Sequence, residues 1–138
     1  MISKDEVKTR VRYGETDQMG VVYHSNYLRY FELGRTEYMR ARGYAYSDLE
    51  KRGFFLAIVD ATVRFRAGAR YDDEIVIRTK IEDSSPVRVT FYYEVRKVEG
   101  DVLLAEGTTA LACIDKNRKI TRLPAEVINA LNVTTKGV

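Results

Sequence analysis

"GETDQMGVVYHSNY", residues 14–27, decides how this chain is read. It sets an acid, Asp17, two separated glycines and the chain's one histidine, His24, just ahead of its best helical segment. From there, residues 26–42 place Tyr27, Tyr30, Phe31, Gly34, Tyr38 and Ala41 at steps of three or four. That spacing lines one face of an α-helix. Ser25 or Asn26 is a natural N-cap and Gly43 follows the expected end, so a helix about 24 Å long is predicted. Leu28, Leu33 and Met39 lie off the main stripe, so more than one side of this helix needs covering.

Upstream, residues 7–13 alternate Val7, Thr9, Val11 and Tyr13 with Lys8, Arg10 and Arg12, the period of a strand with one buried face. Downstream, residues 44–53 read as a loop. Residues 55–67, 74–81, 87–98 and 102–114 then read as strands, rich in Val, Ile, Phe, Tyr and Thr. Turn residues separate them at Ala67-Gly68-Ala69 with Asp72-Asp73, at Asp83-Ser84-Ser85-Pro86 and at Glu99-Gly100-Asp101. Pro124 opens a short amphipathic helix over residues 124–131, and residues 132–138 read as a frayed tail. The order is strand, long helix, then antiparallel strands, which predicts an α+β fold: one curved sheet around one helix, in a single domain over residues 1–138. Such a sheet has an edge that must be covered or paired. Residues 74–81 are the expected edge, pairing with their twin in a homodimer.

Composition narrows the function. At 138 residues, 45% hydrophobic and 31% charged, the chain suits one folded globular unit. The longest apolar run, residues 54–59, is far below the roughly 20 residues of a membrane span, and residues 1–10 hold no signal-like apolar core. A cytoplasmic protein is expected. One cysteine, Cys113, and one histidine cannot build the usual zinc sites, so no metal is expected. The pI is near 9.0, but a net charge of +3 with the signs interleaved makes a weak field that argues against nucleic acid as the partner.

Tyr13, Thr16-Asp17, Gly20-Val21-Val22-Tyr23-His24, Asn26-Tyr27, Phe31-Glu32 and Arg35 together resemble the signature of the acyl-CoA thioesterases of the 4-hydroxybenzoyl-CoA thioesterase family, in its YbgC-like branch, on the hotdog fold. Ala69-Arg70-Tyr71-Asp72-Asp73 resembles a second, weaker block. The resemblance implies hydrolysis of a CoA or carrier-protein thioester without a cofactor, in a homodimer or homotetramer. It makes Asp17 the catalytic carboxylate, as nucleophile or as base on a water, and gives the oxyanion to the backbone N–H of His24.

The chemistry suits the spacing. A helix start has N–H groups without intrahelical partners and about half a positive charge, which can hold the developing oxyanion. Aspartate side chains in water are ionised at neutral pH, so placement matters more than tuning. Gly20 would let the backbone pass close to a substrate. Tyr23, Asn26 and Tyr27 are the further expected contacts, with a cap and a core anchor as the plainer roles of the last two. Arg88 is the expected contact to the CoA phosphates; it and Arg70 lie near turns that in this fold could approach the helix start of a partner subunit, and Arg64 and Arg66, on one face of a strand, are other cations available to them. Glu32 and Arg35, at i and i+3, are placed to pair with each other. A triad using Ser25 lacks a G-x-S-x-G elbow. A Cys113–His24 pair would need a long-range contact, and Cys113 reads as a buried strand residue. The alternative function is a non-catalytic acyl-CoA-binding or regulatory module that has no need of Asp17.

Overall fold

The aromatic steps predicted for the long helix are the ones its folded form buries. In the computed structural model, which describes residues 5–136, α1 spans Asn26–Ala41 and buries Tyr27, Tyr30, Phe31, Gly34, Arg35, Tyr38 and Met39. The stripe lies in the hollow of a five-stranded antiparallel sheet made of β1 (Glu6–Arg10), β2 (Phe55–Phe65), β3 (Glu74–Ser85), β4 (Arg88–Lys97) and β5 (Val102–Ile114). The strand order is β1-β3-β4-β5-β2. Alternate residues of β3 and β4, namely Ile75, Ile77 and Ile81 with Val89, Phe91, Tyr93 and Val95, turn inward and are buried. Phe31 stacks on Tyr93 with ring centroids 4.4 Å apart and planes 6° apart, a contact of about 0.5–1.5 kcal/mol beyond its area.

Several expectations are corrected. Residues 74–81 are not an edge: β1 covers β3 from Glu6↔Arg78 to Arg10↔Glu74, while β4 lies on its other side. Among the described residues the long free edge is β2, which pairs only with β5. Local alternation shows that a segment is a strand but not which strand lies beside it. The first strand stops at Arg10, and a 3-10 turn, Tyr13–Glu15, follows, with the Glu15 carboxylate accepting the Arg12 N–H at 2.8 Å. The loop expected over residues 44–53 contains a six-residue helix, α2 (Tyr46–Lys51), anchored by buried Leu49. β3 and β4 meet in a tight turn at Pro86-Val87, so the strand runs through Asp83-Ser84-Ser85 where a break was expected. The last helix, α3 (Ala125–Lys136), continues past residue 131; of the expected frayed tail, residues 137–138 lie outside the described residues. No helix among the described residues is long and apolar enough to cross a membrane.

Two glycines set how closely the layers approach. A Cβ on Gly34 would stand 2.5 Å from Thr79 Oγ1, so α1 touches the sheet there. A Cβ on Gly107 would stand 2.1 Å from the carbonyl oxygen of Thr62 and 2.9 Å from Phe31. Gly107→Ala is therefore expected to lower stability in urea by about 1–3 kcal/mol through overpacking, whereas Gly14→Ala, with open space around it, should change it by less than about 0.5 kcal/mol. Burial pushes the thiol of Cys113, on β5, up to about 11, so it is protonated at neutral pH. A disulfide reagent such as dithiobis(nitrobenzoate) should leave it unlabelled at pH 8 in the native protein and label it once the protein is unfolded in urea.

Candidate active site

Residues 15–24 fold into a loop held at both ends. Its outer strand-like piece joins Thr16 to Val22 and Val21 to Arg70, and the Val22 N–H donates to the Ala69 carbonyl at 2.9 Å. Glu15 fixes the loop to α1. Its carboxylate Oε1 accepts from the Tyr30 hydroxyl at 2.9 Å, and its carbonyl accepts from the Asn26 side-chain amide at 2.9 Å and from the Tyr23 N–H at 2.8 Å. Burial, and then this carboxylate, push the Tyr30 phenol well above its ordinary range, so it stays a donor. Composition and periodicity gave no sign of Glu15. The signal available was its spacing: three residues after Arg12, it sits where an acid can close a helical turn.

Within the loop, Asp17 is set by backbone. Its Oδ1 accepts the N–H of Met19 at 2.9 Å and, more weakly, that of Val21 at 3.4 Å. Its carbonyl accepts from Gly20, and its own N–H donates to Val21, both at 2.9 Å. Among the described residues Oδ2 has no donor. Gly20 sits at φ +81°, a left-handed conformation that disfavours other residues, and a Cβ there would meet Arg70 Nη1 at 3.1 Å.

The helix start is left open. Ser25, expected to cap, is helical at φ −65°, ψ −22° and makes no side-chain cap bond, while the Asn26 amide is committed to Glu15. The N–H groups of Asn26, Tyr27 and Leu28 turn back to the carbonyls of Tyr23, His24 and Ser25. Those of His24 and Ser25 have no acceptor among the described residues. The free donors thus fall just before α1, at its positive end.

Asp17 and His24 line one cleft of about 410 Å³ with Met19, Val21, Val22 and Tyr27. The opposite wall is Phe65, Arg66, Ala67 and Gly68, from the end of β2 and the turn after it. The His24 ring lies 4.2 Å from that of Tyr23 and 6.4 Å from that of Phe65; Phe65 in turn meets buried Tyr27 edge-on at 5.5 Å. Tyr23 is exposed beside the cleft rather than lining it.

Arg88 is not brought to this place within one chain. It pairs with Ala112, whereas Phe65 pairs with Ala105, level with Val95, roughly seven residues or about 23 Å further along β4. The cation lining the cleft is Arg66, whose Nε donates to Glu106 at 2.9 Å; Arg70 lies beside Gly20, outside the lining. Glu32 and Arg35 do not pair either: Arg35 is buried and Glu32 is exposed. Tyr30→Phe, which removes one of two donors from the Glu15 carboxylate, should cost about 1–3 kcal/mol of stability in a denaturant titration.

Known proteins share both the sequence and this architecture. The profile of the thioesterase-like superfamily matches residues 11–131. YneP of Bacillus subtilis (strain 168) is 37% identical over 115 residues, 83% of this chain and 81% of that one. The acyl-CoA thioesterase YbgC of Haemophilus influenzae is 31% identical over 120 residues, 86% of this chain and 87% of its own. The crystal structure of a DHNA-CoA thioesterase from Staphylococcus aureus superposes with a TM-score of 0.91 at 30% identity, covering 97% of this chain and 95% of that one. The curved sheet around α1 is the hotdog fold of these enzymes, and the chain belongs to the thioesterase-like superfamily.

Proposed function

We propose that the chain is a single hotdog domain that hydrolyses an acyl-CoA or acyl-carrier-protein thioester to a free acid and a thiol, with Asp17 as its catalytic carboxylate. The observation that carries this reading is the shared cleft: Asp17 and His24 line it together, at a helix start whose nearest N–H groups are unused. The similarity to YbgC and to the Staphylococcus enzyme supports the thioester class of substrate.

The chemistry follows from the atoms that are free. Oδ1 of Asp17 is held by backbone amides, which leaves Oδ2 to attack the carbonyl carbon or to take a proton from an attacking water. Either route moves the carbonyl electrons onto oxygen, where the His24 N–H and the positive end of α1 receive them. Collapse of the tetrahedral species breaks the C–S bond and releases the thiolate, which takes up a proton; the water route gives the free acid directly, whereas the nucleophile route leaves an acyl–Asp17 anhydride that a water then hydrolyses to free the acid and restore the carboxylate. Gly20 keeps the loop in its left-handed turn, Tyr27 and Phe65 form the apolar floor and wall, and Arg66 and Arg70 stand near the mouth for anionic parts of the substrate.

In this reading two copies join along β2, whose Ile58, Val59 and Phe65 are each at least half exposed in the single chain, and such dimers can pair into tetramers. The protein acts in the cytoplasm, where a lone buried thiol suits a reducing milieu.

Asp17→Asn is the decisive variant, because the amide oxygen can still accept from Met19 and Val21 and the loop should hold. Thiol release from a panel of CoA esters should fall about 10²–10⁴-fold in kcat with little change in the unfolding midpoint. A variant as fast as the parent would remove Asp17 from the mechanism. A parent that turns over no ester but still binds acyl-CoA would favour the binding-module reading.

A further inference from the structure

Tyr13 and Tyr71 come from the two motif blocks of the sequence, and the cleft uses neither. The fold brings them together, with ring centroids 5.7 Å apart and planes at 88°. Most ring contacts among the described residues bury at least one partner in the core, as Phe31 does on Tyr93 and Tyr27 on Phe65. Tyr13 and Tyr71 instead leave 77% and 59% of their surface exposed. Such a pair adds little to stability, because aromatic rings stabilise a fold chiefly through the area they bury.

The perpendicular planes form a corner. A flat ring can stack on one tyrosine while its edge meets the face of the other, and these are the two arrangements that aromatic rings prefer. The bases of nucleotides are held on exposed aromatic side chains in this way, because every base has a π-face. The corner is thus shaped for a planar heterocycle rather than for an alkyl chain.

A cation lies between this corner and the cleft. Val21, which lines the cleft, is bridged to Arg70, and residues directly opposite in an antiparallel bridge put their side chains on one face. The Arg70 guanidinium accordingly reaches Gly20, with Nη1 3.1 Å from where a Cβ would stand. It joins no ion pair among the described residues. The neighbouring carboxylates are engaged elsewhere: Asp73 accepts the Arg70 backbone N–H and faces Lys97, and Asp72 faces Arg10 at 4.0 Å. Tyr71 follows Arg70 directly, and Tyr13 stands four residues before Asp17, no more than about 14 Å of chain. Carboxylate, unpaired cation and aromatic corner therefore fall within a span that a pantetheine arm covers.

We propose that Tyr13 and Tyr71 seat the adenine of a CoA thioester, with Arg70 at its diphosphate; this rests on the thioesterase reading and selects CoA over a carrier protein as the thiol. A carrier protein presents a pantetheine arm but no adenine, so only CoA fills the corner. A second protein chain would be held by a broad apolar face, whereas Tyr71 is flanked by Arg70 and Asp72, and Asp72 by Arg10.

One acyl group presented on CoA and on pantetheine, which lacks the nucleotide, tests the seat. The parent should show a KM about ten-fold lower for the CoA ester. Tyr13→Ala and Tyr71→Ala should each raise that KM about five-fold at unchanged kcat, while the constants for the pantetheine ester stay where they were. Tyr71→Phe, which keeps the ring, should behave as the parent does. Calorimetry with ADP needs no turnover: the parent should bind it, and the variant lacking both rings should not. Equal KM values for the two esters in the parent, or variants that weaken both esters alike, overturn the seat and leave the enzyme standing. A parent that hydrolyses no ester but binds ADP through the two tyrosines keeps the seat and removes the enzyme reading. One that neither turns over an ester nor binds ADP ends both.

Discussion

The cleft depends on one carboxylate that does not line it. Glu15 receives the Tyr30 hydroxyl and the Arg12 N–H on its side chain, and the Asn26 amide and Tyr23 N–H on its carbonyl. These bonds tie the loop before α1 to the helix itself. Tyr30 belongs to the buried stripe, so the lock is continuous with the packing of α1 in the sheet. Without it, the loop carrying Asp17 would keep its bonds to Ala69 and Arg70 but lose its side-chain ties to α1.

The same arrangement explains why a good N-cap sequence leaves the helix uncapped. Ser25 and Asn26 have the side chains to satisfy the first N–H groups. Asn26 is spent on Glu15, and Ser25 is already helical. The local turn then uses the N–H groups of Asn26, Tyr27 and Leu28, which moves the unused donors back to His24 and Ser25, at the cleft rather than against a cap. A helix end that is incomplete as structure is thereby available for binding.

What could be read from the chain follows the reach of each physical signal. The stripe from Tyr27 to Tyr38 and the alternation in β3 and β4 are local periods, and all three elements formed where those periods run. The motif around Asp17 and His24 was legible because its residues are contiguous, and they meet in one cleft. The opposite wall was not: Phe65 to Gly68 arrives 48 to 51 residues after Asp17, and no local pattern marks it as that residue's partner. Pairing order failed for the same reason, since alternation in residues 74–81 cannot show that β1 lies alongside. The six-residue α2 is too short for a visible period, and its one buried anchor, Leu49, is a tertiary feature. Arg88 was placed by its nearness to a turn that could approach the helix start of a partner subunit; within one chain that turn lies at the far end of the sheet from the cleft.

Asp17 is oriented by amides of its own five-residue turn, while the surface facing it comes from a distant strand end. The carboxylate and the wall that faces it are thus encoded in separate pieces of the gene. Divergence at Phe65, Ala67 or Gly68 can reshape the cleft without disturbing how the acid is mounted. Such modularity would let one scaffold drift among thioesters by changes confined to a single strand terminus.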